Sequence, residues 1–300
     1  MIIDNNHGLL YNGDDFGGHQ ALGDIAFGRT SPEARALFNK ASELGYPLPS
    51  SSNQKLINKF LVDVKQAAGG NMQNIIDIRM YANDIPDETR TTNMFFDGLH
   101  WDNPDKPISI LNSTNSRFPK KGYRGAGITG SFIVTRTEVD IINNLIHRND
   151  LSCMWIWFDI VTTNTAASGI SIFTQSRAVA CVPKHTSTGG FVQMGGRGLG
   201  LTVPDGFNIY TAEIINGNVN AYINNVLGST NTLSWGTDFQ STMLDLGANQ
   251  ANNFTVYSNS SAFPSTSQTL GGCIMYRSSQ VNRNELYNAV LAYFSELQNL

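Results

Sequence analysis

At 300 residues the chain is long enough for one large β domain or two small ones, with a buried core. Charged residues make up 15% of it, against about 25% in an average soluble domain; 32 asparagines with Ser, Thr and Gly supply the polar surface instead. A net charge of -4 gives no basic field for counterion release, which argues against nucleic-acid binding, and no apolar run reaches the ~18 residues of a membrane span.

The opening MIIDNNHGLL lacks the basic start and long apolar core of a signal peptide, so synthesis in the cytoplasm is expected. Cys153, Cys181 and Cys273 are odd in number and far apart, as buried free thiols in a reducing compartment would be.

Residues 1–30, rich in Gly, Asn and Asp, show no sustained periodicity and are read as an extended arm that orders on a partner. Ser31 followed by Pro32 opens a helix, Ala34, Leu37 and Ala41 give it one thin apolar face, and Gly45 stops it. After the linker YPLPSSS, Ser51 and Gln54 stand at capping-box spacing. Leu56, Ile57, Phe60, Leu61, Val64 and Ala68 then form a broad helical stripe.

Gly69 and Gly70 follow that helix and precede the strand-like IIDIRMYA. A phosphate-binding loop has the opposite order, strand before helix, so Gly69 is expected as the left-handed residue that ends the helix. Beyond residue 94 short strand-type runs alternate with turn clusters, the pattern of a sandwich or barrel. In NIYTAEIINGNVNAYINNVL two strands flank Asn216-Gly217-Asn218, a strong hairpin signal. At the end, Leu286, Val290, Leu291, Phe294 and Leu297 share one helical face. The expected organisation is an arm over 1–30, a helical lead-in with one strand over 31–93, and a β-sandwich ending in a helix over 94–300.

The run AEIINGNVNAYINNVLGSTNT resembles a hairpin of concanavalin-A-like and laminin-G-like jelly rolls, with Tyr222, Asn224, Asn225 and Gly228 at the positions of a Tyr-x-Asn-Gly-x-x-x-Gly pattern. Asn225 stands where that pattern has glycine; asparagine also tolerates positive φ. Leu244, Leu246 and Gly247 resemble the following strand, and Tyr276, Glu285 and Leu286 the closing strand and helix. Upstream, the order FLVDVKQA, IIDIRMYA, FFDGLHWDNP and RFPKKGYRGAGITGSFIVT is similar to the layout of virion structural proteins of tailed bacteriophages that carry a jelly roll after a helical lead-in. The two resemblances cover roughly residues 54–300 and imply a mainly β, jelly-roll fold.

Some jelly rolls are glycoside hydrolases that need two carboxylates about 5 Å apart. Between residues 94 and 280 the only glutamates are Glu138 and Glu213, and only Glu138 has an acid at strand spacing, Asp140. No enzyme is expected. Cys181 and His185 lack the second pair a zinc site needs. Asp159, Asp205 and Asp238 do not follow a calcium-loop spacing, so neither metal nor cofactor is expected. GGRGLG (195–200) lacks the P-loop ending and reads as a tightly turned hairpin. Trp155 and Trp157 share one face of a strong strand and are expected in the core.

Sugar binding needs flat stacking surfaces beside amide and hydroxyl groups. Trp101, Tyr123 and Trp235 lie in polar, turn-rich contexts and, with Asn225, are the candidate carbohydrate contacts. The sequence and its resemblances together point to a non-enzymatic virion structural protein, a capsid decoration, head fibre or tail-associated module anchored by its N-terminal region. Its expected partners are other virion proteins and copies of itself. The alternatives are a lectin-like module for host surface glycan and, behind it, a glycoside hydrolase.

Overall fold

The computed structural model describes residues 2–4, 8–10, 30–43, 45–85, 109–110, 116–118, 120–124, 133–135, 149–160, 170–172, 179–183, 189–194, 197–233, 254–256 and 269–300. Three helices form where capping and periodicity place them. In α1 (Pro32–Glu43), the Ala34 amide donates to Ser31 Oγ at 3.2 Å, and Ala34, Leu37 and Ala41 are the buried face. Gly45 follows at φ +73, with the Tyr46 amide closing on Ala41 O at 2.9 Å.

Helix α2 (Ser51–Ala67) is capped by Ser50, not Ser51 as expected. With three serines in a row spacing alone could not choose; Ser50 Oγ is the one that accepts the Asn53 amide, while Gln54 Nε2 reaches back to Pro49 O at 2.8 Å. The helix ends as its sequence predicts: the Gly70 amide donates to Lys65 O and the Gly69 amide to Gln66 O, with Gly69 at φ +67. That is the paired closure of a Schellman end. Helix α3 (Arg283–Gln298) starts at Asn282, whose Oδ1 accepts from the Asn284 and Glu285 amides.

The strands in chain order begin with β1 (Ile2–Asp4), β2 (Gly8–Leu10), β3 (Ile75–Met80), β4 (Ser109–Ile110), β5 (Ser116–Phe118) and β6 (Gly122–Arg124). They continue with β7 (Ile133–Thr135), β8 (Ser152–Ile160), β9 (Ile170–Ile172), β10 (Val179–Val182), β11 (Gly189–Met194) and β12 (Arg197–Thr202). The last are β13 (Gly206–Ile215), β14 (Asn218–Ile223), β15 (Val226–Thr232), β16 (Phe254–Val256) and β17 (Thr269–Tyr276). Within the N-terminal segment β1 pairs with β2 in a small hairpin.

The other strands make a mainly β, antiparallel jelly-roll sandwich. One sheet runs β12-β11-β10-β9-β16-β7-β4; the other runs β15-β14-β13-β8-β17-β6-β5, with β3 also paired to β17. β11 and β12 form the hairpin expected at GGRGLG, with Met194 opposite Arg197.

The centre of the eight-stranded sheet is buried on both faces. Alternate residues Cys153, Trp155 and Trp157 of β8 face the other sheet, joined by Tyr210, Ala212, Cys273 and Met275. The intervening Met154, Ile156 and Phe158 face the helices, with Ile274 and Tyr276 of β17. Side chains on successive strand residues point to opposite faces, so near-continuous apolar runs such as SCMWIWFDI and TLGGCIMY mark strands covered on both sides. Phe60 of α2 packs on Tyr293 of α3 at 5.1 Å between ring centroids, and Tyr293 Oη donates to Ala82 O at 3.2 Å. The helical lead-in is thus a third layer on the sandwich, and β3 is a strand of its sheet.

Two glycines permit close approach, one within the sheet and one between layers. A Cβ on Gly122 of β6 would lie 2.0 Å from Leu270 O of the neighbouring strand β17, and one on Gly271 would lie 2.6 Å from the Phe158 ring and 2.9 Å from the Phe294 ring of α3.

Candidate functional site

The hairpins β13–β14 and β14–β15 turn on two residues each. Asn216 (φ +51) and Gly217 (φ +74) make the first turn, and Asn224 (φ +49) and Asn225 (φ +67) the second. Two successive left-handed residues give the type I′ turn whose twist matches paired strands, so Asn225 performs the backbone role of the glycine it replaces. Asn224 ties the turn down: its Oδ1 accepts the Ile209 amide at 2.9 Å, and its Nδ2 donates to Asn208 Oδ1 at 2.8 Å.

Where this second turn meets the start of α3, four side chains converge. The Arg283 guanidinium lies 3.7 Å from the Tyr222 ring centroid, its Nε is 3.6 Å from Glu213 Oε2, and its Nη1 donates to Asn225 Oδ1. The Glu213 side chain is only 5% exposed. Burial raises its carboxyl above the ordinary value of 4.5, while Arg283 and a Tyr222 hydrogen bond pull it back down. Burial raises the Tyr222 phenol as well.

An arginine in the first turn of a helix opposes the macrodipole. Arg283 is held there by an anion, a π face and an amide oxygen from the hairpin. The group works as a clasp joining α3 to the sheet edge, and it spends the amide oxygen of Asn225 inside the protein. Sequence reasoning found Asn225 but missed Glu213 and Arg283 as its companions. The unfavourable placement of a cation at N1 is the signal that could have exposed them.

Trp101 and Trp235 lie outside the described residues, as do Glu138, Asp140, Asp238 and His185. Tyr123 sits on β6, where its backbone pairs with Leu270 of β17. Asp159 is bound to Lys121 Nζ at 2.7 Å and to Thr269 Oγ1 at 3.0 Å. Among the described residues no three His, Cys, Asp or Glu side chains form a metal cluster. Cys153, Cys181 and Cys273 are buried free thiols, and burial pushes Cys153 and Cys181 well above the ordinary thiol value. Trp155 and Trp157 fill the core as expected.

A cleft of about 550 Å³ opens at the end of the eight-stranded sheet, lined by Asn149, Asp150, Asn216, Gly217, Ser278 and Ser279 together with the apolar Ile214 and Ile215. One Asp150 oxygen accepts the Ser279 amide at 2.8 Å. The amides, hydroxyls and one carboxylate of the cleft offer hydrogen-bond donors and acceptors, with Ile214 and Ile215 as an apolar side.

The fold is a jelly-roll β-sandwich, and solved structures share it. The botulinum neurotoxin serotype D binding domain matches it at a TM-score of 0.50 and 9% identity, over 77% of this chain and 53% of that one. The botulinum neurotoxin DC binding domain, solved in complex with rat synaptotagmin II, gives 0.49 at 11% identity, over 76% and 53%. Trypanosoma rangeli sialidase gives 0.49 at 9% identity, over 81% of this chain and 39% of that one. The chain spans about half the length of the toxin binding domains it matches. No family model and no curated protein matches the sequence.

Proposed function

We propose that the chain is a non-enzymatic structural module of a tailed-phage virion, anchored through its N-terminal region and presenting the sandwich outward. The observation that carries this reading is the fusion of helical lead-in and jelly roll into one three-layer body. Helices cover the outer face of the centre of the eight-stranded sheet, and residues 1–30 precede α1 in the chain. That is the order, anchor then lead-in then sandwich, that the resemblance to phage virion proteins implies. The protein then resides in the particle after synthesis in the host cytoplasm.

Peptides of this chain should appear in the mass spectrum of purified, nuclease-treated particles at stoichiometric abundance, and gold-labelled antibody should mark one fixed place on them. Absence from purified particles, with the protein abundant in the infected lysate, would overturn the reading.

A second reading, recognition of a host surface glycan, is favoured by the amide- and hydroxyl-lined cleft at Asn149, Asn216 and Ser278. It places sugar contacts there or on Trp101 and Trp235. On a glycan array, competable binding lost on changing one of these residues would support it, and an array with no reproducible signal would remove it. Glycoside turnover abolished by Glu138→Gln would displace both readings in favour of a hydrolase.

A further inference from the structure

The two sheets end side by side at one flank of the sandwich. β15 is the last strand of the eight-stranded sheet and β12 the last of the seven-stranded sheet, and these two strands lie against each other. A Cβ on Gly228 would meet Leu201 Cδ2 at 2.6 Å, so glycine is what lets the two edges close up.

Edge strands are normally guarded by charge, proline or inward-pointing polar groups, because their outer backbone groups recruit other strands. Here Val226–Thr232 reads VLGSTNT, without a charge or a proline, and Arg197–Thr202 of β12 reads RGLGLT, with one charge, Arg197, at its start. The guards are Arg197 at the start of β12 and a register shift in β15 at Gly228, between the pairs Ala221–Ser229 and Tyr222–Leu227. Val226 is 67% and Leu227 54% exposed, the two most exposed large apolar side chains among the described residues. No further strand pairs with β15 or β12 among the described residues.

We propose that this flank is the contact between two copies of the chain. A single two-fold axis normal to the stacked sheets sets β15 antiparallel to its copy. The same axis, continued through the second sheet, sets β12 antiparallel to its copy as well. A lone foreign strand would satisfy one edge and leave the other open, whereas an isologous contact satisfies both. β15 carries no charge, and the one charge on β12, Arg197, stands at the end of its strand, so antiparallel pairing sets the two copies' Arg197 at opposite ends and a self-contact meets little like-charge repulsion. Val226 and Leu227 are then covered across the axis. This goes beyond the virion reading, since the paired flank is a property of the free protein.

Analytical ultracentrifugation tests it. The wild-type chain should sediment at twice its 32.8 kDa mass. The double variant Leu227→Lys, Asn231→Lys places two like charges per copy at the axis and should weaken dimerisation at least about tenfold, with unchanged far-ultraviolet circular dichroism. An equimolar mixture with Leu227→Glu, Asn231→Glu should restore the dimer. Hydrogen exchange of wild-type protein gives a reading that needs no variant: the outward-facing Thr230 and Thr232 amides should become more protected as concentration rises. A wild type that stays at 32.8 kDa up to about 100 μM, or a dimer that the lysine variant forms equally well, would overturn the proposal.

Discussion

The centre and the edge of the eight-stranded sheet are held by different forces. At the centre, β8 and β17 bury apolar side chains on both faces, against the other sheet and against three helices. At the edge, β14 and β15 depend on type I′ turns, on Asn220 and Thr230 bonded across the strands at 2.9 Å, and on the Arg283 clasp. Burial of apolar area is large and carries no titrating group; the edge contacts are small, directional and sensitive to protonation. Stability therefore belongs to the centre, and the surfaces open to other molecules belong to the edge and the strand ends.

The sharpest way to break this contrast is at the centre. Trp157→Ala removes a fully buried ring and should cost about 3–5 kcal/mol in urea unfolding. A loss below about 1 kcal/mol would mean that the centre is not the spine. At the edge, Arg283→Ala leaves the Glu213 carboxylate buried beside a bare Tyr222 ring and should cost about 2 kcal/mol. Arg283→Lys should recover only part of it, because an ammonium cannot bridge carboxylate, ring and amide together.

Glu213 also gives the edge a pH signature. Its folded-state value is raised above 4.5 by burial, so the folded chain holds that proton more tightly than the unfolded one. Its contribution to stability is fully present below pH 4.5 and is lost as pH rises through the raised value. Urea midpoints of wild type and Glu213→Gln, followed upward from that pH, should diverge with the wild type falling relative to the variant. The opposite slope would contradict the assignment.

Smaller effects follow at the turn and on the surface. A Cβ at Gly217 meets nothing within 4 Å, so Gly217→Ala tests the backbone alone and should cost about 1 kcal/mol. Lys59 and Asp63 pair at 3.0 Å on the exposed side of α2, and Lys59→Ala should change stability by less than about 0.5 kcal/mol.

Much of this architecture was legible locally. Pro32 behind Ser31, Gly69 after the α2 stripe and Asn216-Gly217 between two strands each carry their reason within a few residues. The ordered motifs from Tyr222 to Leu286 identified the jelly roll. What could not be read was long-range. β3 pairs with β17, Cys273 opposite Arg79 and Ile274 opposite Ile78, across nearly the whole sandwich sequence. No local pattern announces that register, so the lead-in was read as a separate segment. The clasp failed for the same reason: Glu213 and Arg283 lie far apart in sequence, and only the fold brings them to Asn225. Of the glycan candidates, the structure places the Asn225 side chain and the Tyr123 backbone, while Trp101 and Trp235 fall outside the described residues.

The most direct test of the three-layer account compares the chain from residue 30 onward with one beginning at residue 94. The longer chain should unfold in one cooperative urea transition. The shorter one loses α1, α2 and β3 and bares Met154, Ile156 and Ile274; it should bind hydrophobic dye and show no cooperative transition. If the shorter chain instead unfolds cooperatively at the same urea midpoint, the helices are an appendage and the account of the fold is wrong.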